Sequence, residues 1–432
     1  MEDAVNDLKT SLQKSFDVQR ARATEEYFPE PFVGLKGKYK TTNAILKSPS
    51  VSVASSRAVA SSKALSVIAA QKNLTSNLSI NAGFFPNGGE IQPGAQATAS
   101  LTKFIFDFGQ TDRQIKLAAL ETKAAILNSH IAFNSELSKL LGNFVMMQSA
   151  NKSLEKIDVY LSKYRQRERL IKTAFESGVL SRADLLEIDA AKNGILSQYE
   201  QIKLSQSQAK RFLQIYLGTQ YNSVVSELSE RLVAGYGMQH SKENIRIALL
   251  SVQRIALETE IEIAENSDRF RVNGSVSVSS PTPGNESFST FAGFSVSKSI
   301  LDGGQSVATV DKKKADLFVL LQEERVANLN RNLVIETWEN YKKYHKLDNQ
   351  FLDERKKIST EKYKELEKLF KAGQADIVEM ANAILTSAQD DLAIIQLESD
   401  LFQNKLEAAS GLTQPCIILE ICKEVQQLFV TE

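Results

Sequence analysis

Phe104-Ile105-Phe106-Asp107-Phe108-Gly109-Gln110 ends an alternating apolar stretch and opens a long run without proline. The motif returns as Ser299-Ile300-Leu301-Asp302-Gly303-Gly304-Gln305, with Asp107 and Asp302 lying 195 positions apart. A second landmark, Phe175-Glu176-Ser177-Gly178, returns as Phe370-Lys371-Ala372-Gly373, and Gly178 and Gly373 are again 195 apart. Leu217-Gly218-Thr219-Gln220 is echoed by Gly411-Leu412-Thr413-Gln414, with the offset slipped by about one residue. Two independent landmarks at one spacing mark an internal duplication.

Upstream of each motif the sequence alternates as a β-hairpin does. Val272, Val276 and Val278 share one face, opposite Asn273, Ser275, Ser277 and Ser279. After the loop Pro281-Thr-Pro-Gly-Asn-Glu286, the return strand sets Phe288, Thr290, Ala292, Phe294 and Val296 against Ser289, Gly293, Ser295 and Ser297. The first copy sets Leu78, Ile80, Ala82 and Phe84 against Asn77, Ser79, Asn81 and Gly83, with its loop at Pro86-Asn-Gly-Gly89. An apolar face backed by Ser, Asn and Gly suits a sheet between lipid and water. Alternation alone equally allows a soluble sheet with its apolar face on a core.

Downstream of each motif the chain reads as one very long helix. From Gln110 to Phe175 there is no proline and only one glycine, Gly142; from Gln305 to Phe370 there is neither. A helix of roughly 65 residues is about 100 Å long at 1.5 Å per residue, more than a globular domain accommodates. Leu137, Leu140, Phe144, Met147, Ala150, Leu154, Ile157, Leu161, Tyr164, Ile171 and Phe175 follow the threes and fours of a coiled-coil seam. A helix before each hairpin (Ser55 to Gln71 at least, and Glu243 to Glu265) and one after each Gly turn together nearly match the long helix. Stacked end to end they lie along it, with the hairpin at one end of the rod and the Gly turn at the other. Four strands cannot close a barrel, and open edges are not tolerated in lipid. If the strands enter lipid, three copies must pool twelve of them.

This order divides the chain into an N-terminal segment 1–40 without an assigned role, a first repeat 41–235, a second repeat 236–413 and a tail 414–432. The hairpins span about 75–106 and 271–300, and the tip turns lie near 178 and 373.

Composition removes several function classes. Lys+Arg and Asp+Glu are both 52 of 432 residues, so there is no basic excess for a broad nucleic-acid footprint. No apolar stretch of about 18 residues suggests a membrane-crossing helix. The opening Met1-Glu-Asp-Ala-Val5 lacks the basic and apolar regions of an export signal. Cys416 and Cys422 fit two small semi-buried side chains or a disulfide. His130, His240 and His345 are scattered, so neither a metal site nor a catalytic constellation is expected and the chain reads as no enzyme; His130 and His345 read as surface or groove-lining. Trp338 reads as a packing residue.

The duplicated order of helix, hairpin, long helix, turn and helix resembles the TolC family of outer-membrane efflux and secretion channels. The strand-to-helix motifs at 105–110 and 300–305 are similar to its LFDGG signature. Phe175-Glu-Ser-Gly178-Val179-Leu-Ser181-Arg-Ala-Asp184-Leu-Leu-Glu187 is similar to its tip motif, and Lys371-Ala-Gly373-Gln374-Ala-Asp376-Ile-Val-Glu379 is the second copy. The resemblance covers about Thr41 to Gln414.

It implies a mainly α protein with a transmembrane β part: a homotrimer whose twelve-stranded barrel sits in the bacterial outer membrane and continues as an α-helical barrel in the periplasm. Its partners would be the lipid bilayer, a periplasmic membrane-fusion adaptor and an inner-membrane transporter, either ABC-type or proton-driven. No cofactor is implied. Gly178, Val179, Ser181, Gly373 and Gln374 would form the periplasmic tip turns and adaptor docking surface. Glu379, Asn382, Asp376, Asp184 and Glu187 would be candidates for the lumenal constriction. The family often places two acids one turn apart where this chain has Glu379 and Asn382, and its gating arginine falls at Ala375. Ser181 and Asp376 fall where a helix N-cap is expected. Asp107, Gly109, Asp302, Gly303 and Gly304 would form the strand-to-helix junctions, where an acid favours a helix N-terminus; a lumenal charge role is the alternative for the two aspartates. The basic run Lys163 to Lys172 is either a solvated face or an adaptor contact. The leading function is a passive export duct for drugs or polypeptides, with a weak lean to type I secretion. The competing reading is a soluble coiled-coil scaffold; a secreted pore-forming or filament protein is a third.

Overall fold

The computed structural model describes residues 40–87, 90–218, 244–267, 271–282, 287–297, 304–372, 374–412 and 415. The N-terminal segment before residue 40, His240, Asp302, Gly303, Gly373 and both cysteines lie outside these residues. The elements are α1 (Lys40–Leu46), α2 (Pro49–Ala70), β1 (Thr75–Asn87), β2 (Glu90–Phe106), α3 (Gln110–Glu176), α4 (Arg182–Leu217), α5 (Ile245–Glu265), β3 (Arg271–Ser279), β4 (Ser289–Ser297), α6 (Gln305–Lys371) and α7 (Ile377–Gly411). The duplication is kept in the backbone: α3 and α6 both have 67 residues and start 195 positions apart, as do α4 and α7.

The described residues fall into two compact units, the first drawn from 53–129 and 246–327, the second from 40–52, 130–218, 244–245, 328–372 and 374–412. In the first, the two hairpins join into one antiparallel sheet of order β1-β2-β3-β4. Within one chain this sheet is open, not a closed barrel. Its register merges the two alternating patterns. Ile80 faces Ala97, Leu78 faces Ala99, Leu101 faces Val276, Ala99 faces Val278, and Val276 faces Ala292. The other side carries Asn77–Ser100, Ser79–Thr98, Ser100–Ser277, Thr98–Ser279 and Asn273–Ser295. Phe291, opposite Ser277, is an aromatic residue on the polar side. A bulge between Phe104 and Phe106 shifts the β2–β3 register near the helix junction.

No described strand residue is buried. On β2 the polar side (Gly94, Gln96, Thr98, Ser100, Thr102) is half-buried, whereas Ala95, Ala99, Leu101 and Lys103 of the apolar side are exposed. Ile80 and Phe294 are 70% and 75% exposed. A soluble sheet buries its apolar side, so this sheet is inverted relative to a water-soluble one. Beside it, α2, α3, α5 and α6 are tied by ion pairs such as Lys72–Asp112, Arg113–Glu262, Lys313–Glu260 and Arg254–Glu324.

In the second unit the predicted seam of α3 is buried from Leu137 through Tyr164, with Leu154 half-buried, and again at Ile171. Phe175 is exposed instead, and Leu180, past the turn, is buried in its stead. Ile157, Leu161, Tyr164 and Ile171 of α3 share one core with Ile188 and Ile195 of α4 and Ile377, Ala381, Ile384 and Ala388 of α7. His130 corrects an expectation: it is buried at 3% exposure, and burial pushes its pKa down to about 3. Close by in sequence, Ser129, Asn134 and Glu136 are buried as well, polar residues that periodicity of apolar residues does not flag. Among the described residues no helix is long and apolar enough to cross a membrane.

Candidate functional site

At the first junction Asp107 is buried, and its Oδ2 accepts from the Thr111 backbone N–H at 2.7 Å and hydroxyl at 2.5 Å. This carboxylate meets the orphan donors that open α3. The turn itself is left-handed at Phe108 (φ 58°) and Gly109 (φ 79°), and Gly304, the repeat counterpart of Gly109, has φ 86°. Phe108 occupies a backbone region that favours glycine, and its repeat counterpart in sequence is Gly303. Its ring packs on Phe106 with centroids 4.7 Å apart, and its carbonyl accepts from Arg113 at 3.1 Å.

At the tip, α3 ends in a Schellman motif. Val179 N–H donates to Ala174 O at 2.9 Å and Gly178 N–H to Phe175 O at 3.0 Å, with Gly178 at φ 75°. Three residues on, Ser181 caps α4. Its Oγ accepts from Asp184 N–H at 3.2 Å, and the Asp184 carboxylate accepts from Ser181 N–H at 3.2 Å, a reciprocal capping box. The second repeat uses the same grammar. Gln374 N–H donates to Leu369 O at 2.8 Å, and the Asp376 side chain caps α7 by accepting from Val378 N–H at 3.1 Å. Val179 is 77% exposed, an apolar side chain at the apex of a turn. Ser181, Gln374, Asp376, Glu379 and Glu187 are exposed; Asp184 and Asn382 are half-buried. The fold gathers the two turns' helices around one core, while the roles of these residues depend on chains beyond this one.

Behind the tip lies a polar network that the sequence reading passed over. The Tyr160 hydroxyl on α3 donates to Asp391 Oδ2 on α7 at 2.9 Å. Lys356 on α6 reaches the same carboxylate at 2.8 Å, and Arg355 Nε lies 2.6 Å from the buried Asp390. Burial opposes ionisation of Asp391, but hydrogen bonds from Lys356 and Tyr160 outweigh it and hold its pKa below the usual range. Lys163 lies between the rings of Tyr160 and Tyr363, at 5.1 and 4.9 Å from their centroids. The available signal was phase: Asp391 stands in step with Ile384, Ala388 and Ile395, an acid on an apolar stripe.

The sequence matches no protein-family model and no curated protein. Solved structures do match. The outer membrane protein VceC of Vibrio cholerae aligns over 87% of this chain and 95% of its own, with TM-score 0.72 at 13% identity. The Campylobacter jejuni outer membrane channel CmeC aligns over 90% and 89%, with TM-score 0.71 at 11% identity. The open state of the Neisseria gonorrhoeae outer membrane channel MtrE aligns over 87% and 88%, with TM-score 0.69 at 14% identity. The fold is that of the TolC-type outer-membrane channels.

Proposed function

We propose that this chain is one protomer of a homotrimeric exit duct in the bacterial outer membrane that extends into the periplasm. The duct is passive and performs no chemistry; a periplasmic membrane-fusion adaptor opens it at the tip, and an inner-membrane transporter supplies the energy. It serves type I protein secretion or multidrug efflux. The observation that carries this reading is the four-stranded sheet, whose apolar side continues from one hairpin into the other and exposes Leu78, Ile80, Leu101, Val276 and Phe294. Such a side is stable only against a nonaqueous medium.

Two features support three copies. The outer edges of β1 and β4 are unpaired among the described residues, and three copies joined edge to edge would give a twelve-stranded closed barrel. Along α6, Phe318, Val326, Leu329, Leu333, Tyr344, Leu347, Phe351 and Ile358 are all exposed. Their spacings of three, four, seven, eight and eleven place them on one helical stripe, separate from the buried Trp338. A second copy would cover that stripe. In the assembled duct, Glu379, Asn382 and Asp376 would line the constriction, and Gly178, Val179, Ser181, Gly373 and Gln374 would meet the adaptor.

The test is extraction and conductance. The full chain should require detergent or lipid, run at three times the protomer mass and form discrete channels in planar bilayers. A water-soluble monomer without conductance would favour the scaffold reading and end this one.

A further inference from the structure

Among the described residues, Lys103 on β2 is the only charge on the apolar side of the sheet. It is exposed and makes no hydrogen bond or ion pair with any described residue. Its place in the sheet is specific. Pairing of β1 with β2 ends at Thr75 and Thr102, so Lys103 stands one residue past the last β1 row, where β2 runs toward α3. Directly across on β3 is Gly274, which presents no side chain; a Cβ there would come within 3.0 Å of Ile105. The bulge then sets Phe106 opposite Val272, in step with the apolar side instead of the polar side that strict alternation would give it. Leu101, Ile105 and Phe106 around the lysine are all exposed, and Phe108 stacks on Phe106. A charge on a lipid-facing strand is costly at mid-membrane and nearly free at the interface, where aromatic girdles also sit. An unpaired lysine beside two exposed aromatic rings, at the helix end of an apolar side, has the composition of that interface.

We propose, resting on the duct reading, that Lys103 binds the phosphate of an anionic glycerophospholipid in the leaflet at the helix end of the sheet. The acyl chains would run toward mid-membrane over Leu101 and Val276, with Ile105 and Phe106 beside the glycerol. Charge complementarity selects the headgroup. Lysine is a compact point charge on a flexible stem that reaches from apolar surface to a phosphate, and no acid among the described residues neutralises it on this side. An anionic head supplies the missing charge, whereas a zwitterionic head brings its own ammonium.

The full-length protein, extracted in detergent, would be titrated with phosphatidylglycerol, phosphatidylcholine and soluble glycerol 3-phosphate, and bound ligand counted by native mass spectrometry. Phosphatidylglycerol should bind about fivefold more tightly than phosphatidylcholine, and glycerol 3-phosphate should not bind in the same range. Lys103→Gln should abolish that preference and leave phosphatidylcholine unchanged. Lys103→Arg should keep it, as should Lys116→Gln, which alters an exposed lysine of α3. Equal binding of the two lipids, a preference that survives Lys103→Gln, or glycerol 3-phosphate binding as tightly as phosphatidylglycerol would each overturn the proposal. Conductance of the same preparation separates the two readings. Conducting channels without headgroup preference overturn this site alone, whereas a water-soluble chain that takes up no lipid overturns the duct and the site together.

Discussion

Leu101 on β2 stands directly opposite Val276 on β3, and Ser100 opposite Ser277. Through this register the apolar side of one repeat's hairpin continues into the apolar side of the other's. A slip of one residue would place Val276 among serines and destroy both faces. The duplicated halves therefore meet as one amphipathic surface, and the sheet's two sides become experimentally distinguishable.

Val276→Asp places a charge on the apolar side, where the cost near the middle of a bilayer is roughly 2–4 kcal/mol. Ser277→Asp, one residue on, lies on the polar side and should cost little. The expected result is loss of folded trimer from outer-membrane fractions for Val276→Asp and near-normal levels for Ser277→Asp. Equal levels for the pair would contradict the assigned faces.

The stripe on α6 predicts where assembly fails. Leu347 is 50% exposed within the chain, and covering that remaining half of a leucine stabilises an interface by about 1 kcal/mol. Leu347→Asp removes that gain and buries a carboxylate, so the protein should elute as a monomer in detergent. Lys346→Asp, off the stripe, should keep the trimer. Trimeric Leu347→Asp in mass measurements would show that another surface joins the copies.

His130 makes stability depend on pH. Its folded-state pKa of about 3 lies below the ordinary 6.5, so the unfolded chain takes up the proton first as pH falls. The contribution of the neutral imidazole is complete above pH 6.5 and declines from there toward pH 3. At pH 5 the loss is about 2 kcal/mol. The depressed carboxylates Glu136 and Asp391 add their own losses only below the ordinary carboxylate values of 4.5 and 3.8. Helix melting followed by circular dichroism should show a lower midpoint at pH 5 than at pH 7, and His130→Leu should flatten that difference. An equal pH dependence in the variant would place the effect elsewhere.

Much of this architecture was legible because it rests on local periodicity. The 195-residue offset located both long helices to within a residue or two, and alternation assigned Leu78, Ile80, Val276 and Phe294 to one side. The β2–β3 pairing joins residues far apart in the chain, so no local pattern announces that the hairpins merge or that β2 bulges before Phe106. Burial of His130 was hidden because this part of α3 buries polar residues, Thr122, Ser129, Asn134 and Glu136, together with Ile126, Leu127 and Phe133, so apolar periodicity alone does not mark which positions are inside. Local chemistry at the tip was legible in Ser181 and Asp376 as helix caps, since capping uses only neighbouring backbone. Whether Glu379 and Asn382 face a lumen depends on other copies, which one chain's pattern does not encode.

Tyr160 and Asp391 connect α3 of the first repeat to α7 of the second through one hydrogen bond of 2.9 Å. Burial and the Asp391 carboxylate raise the phenol's pKa, so Tyr160 stays protonated and donating across the physiological range. If the proposed duct opens at its tip by separating helices of the two repeats, this bond has to break on the way. Tyr160→Phe keeps the ring and the Lys163 contact but removes the donor, at a cost of about 1–2 kcal/mol. The same amount is removed from the barrier to separation, so the variant should melt earlier and spend more time open in planar-bilayer recordings. Lys356→Met, which removes the second donor to Asp391, should act in the same direction. If both variants melt earlier and yet conduct as the parent does, the network braces the closed tip and the open tip equally and has no part in gating.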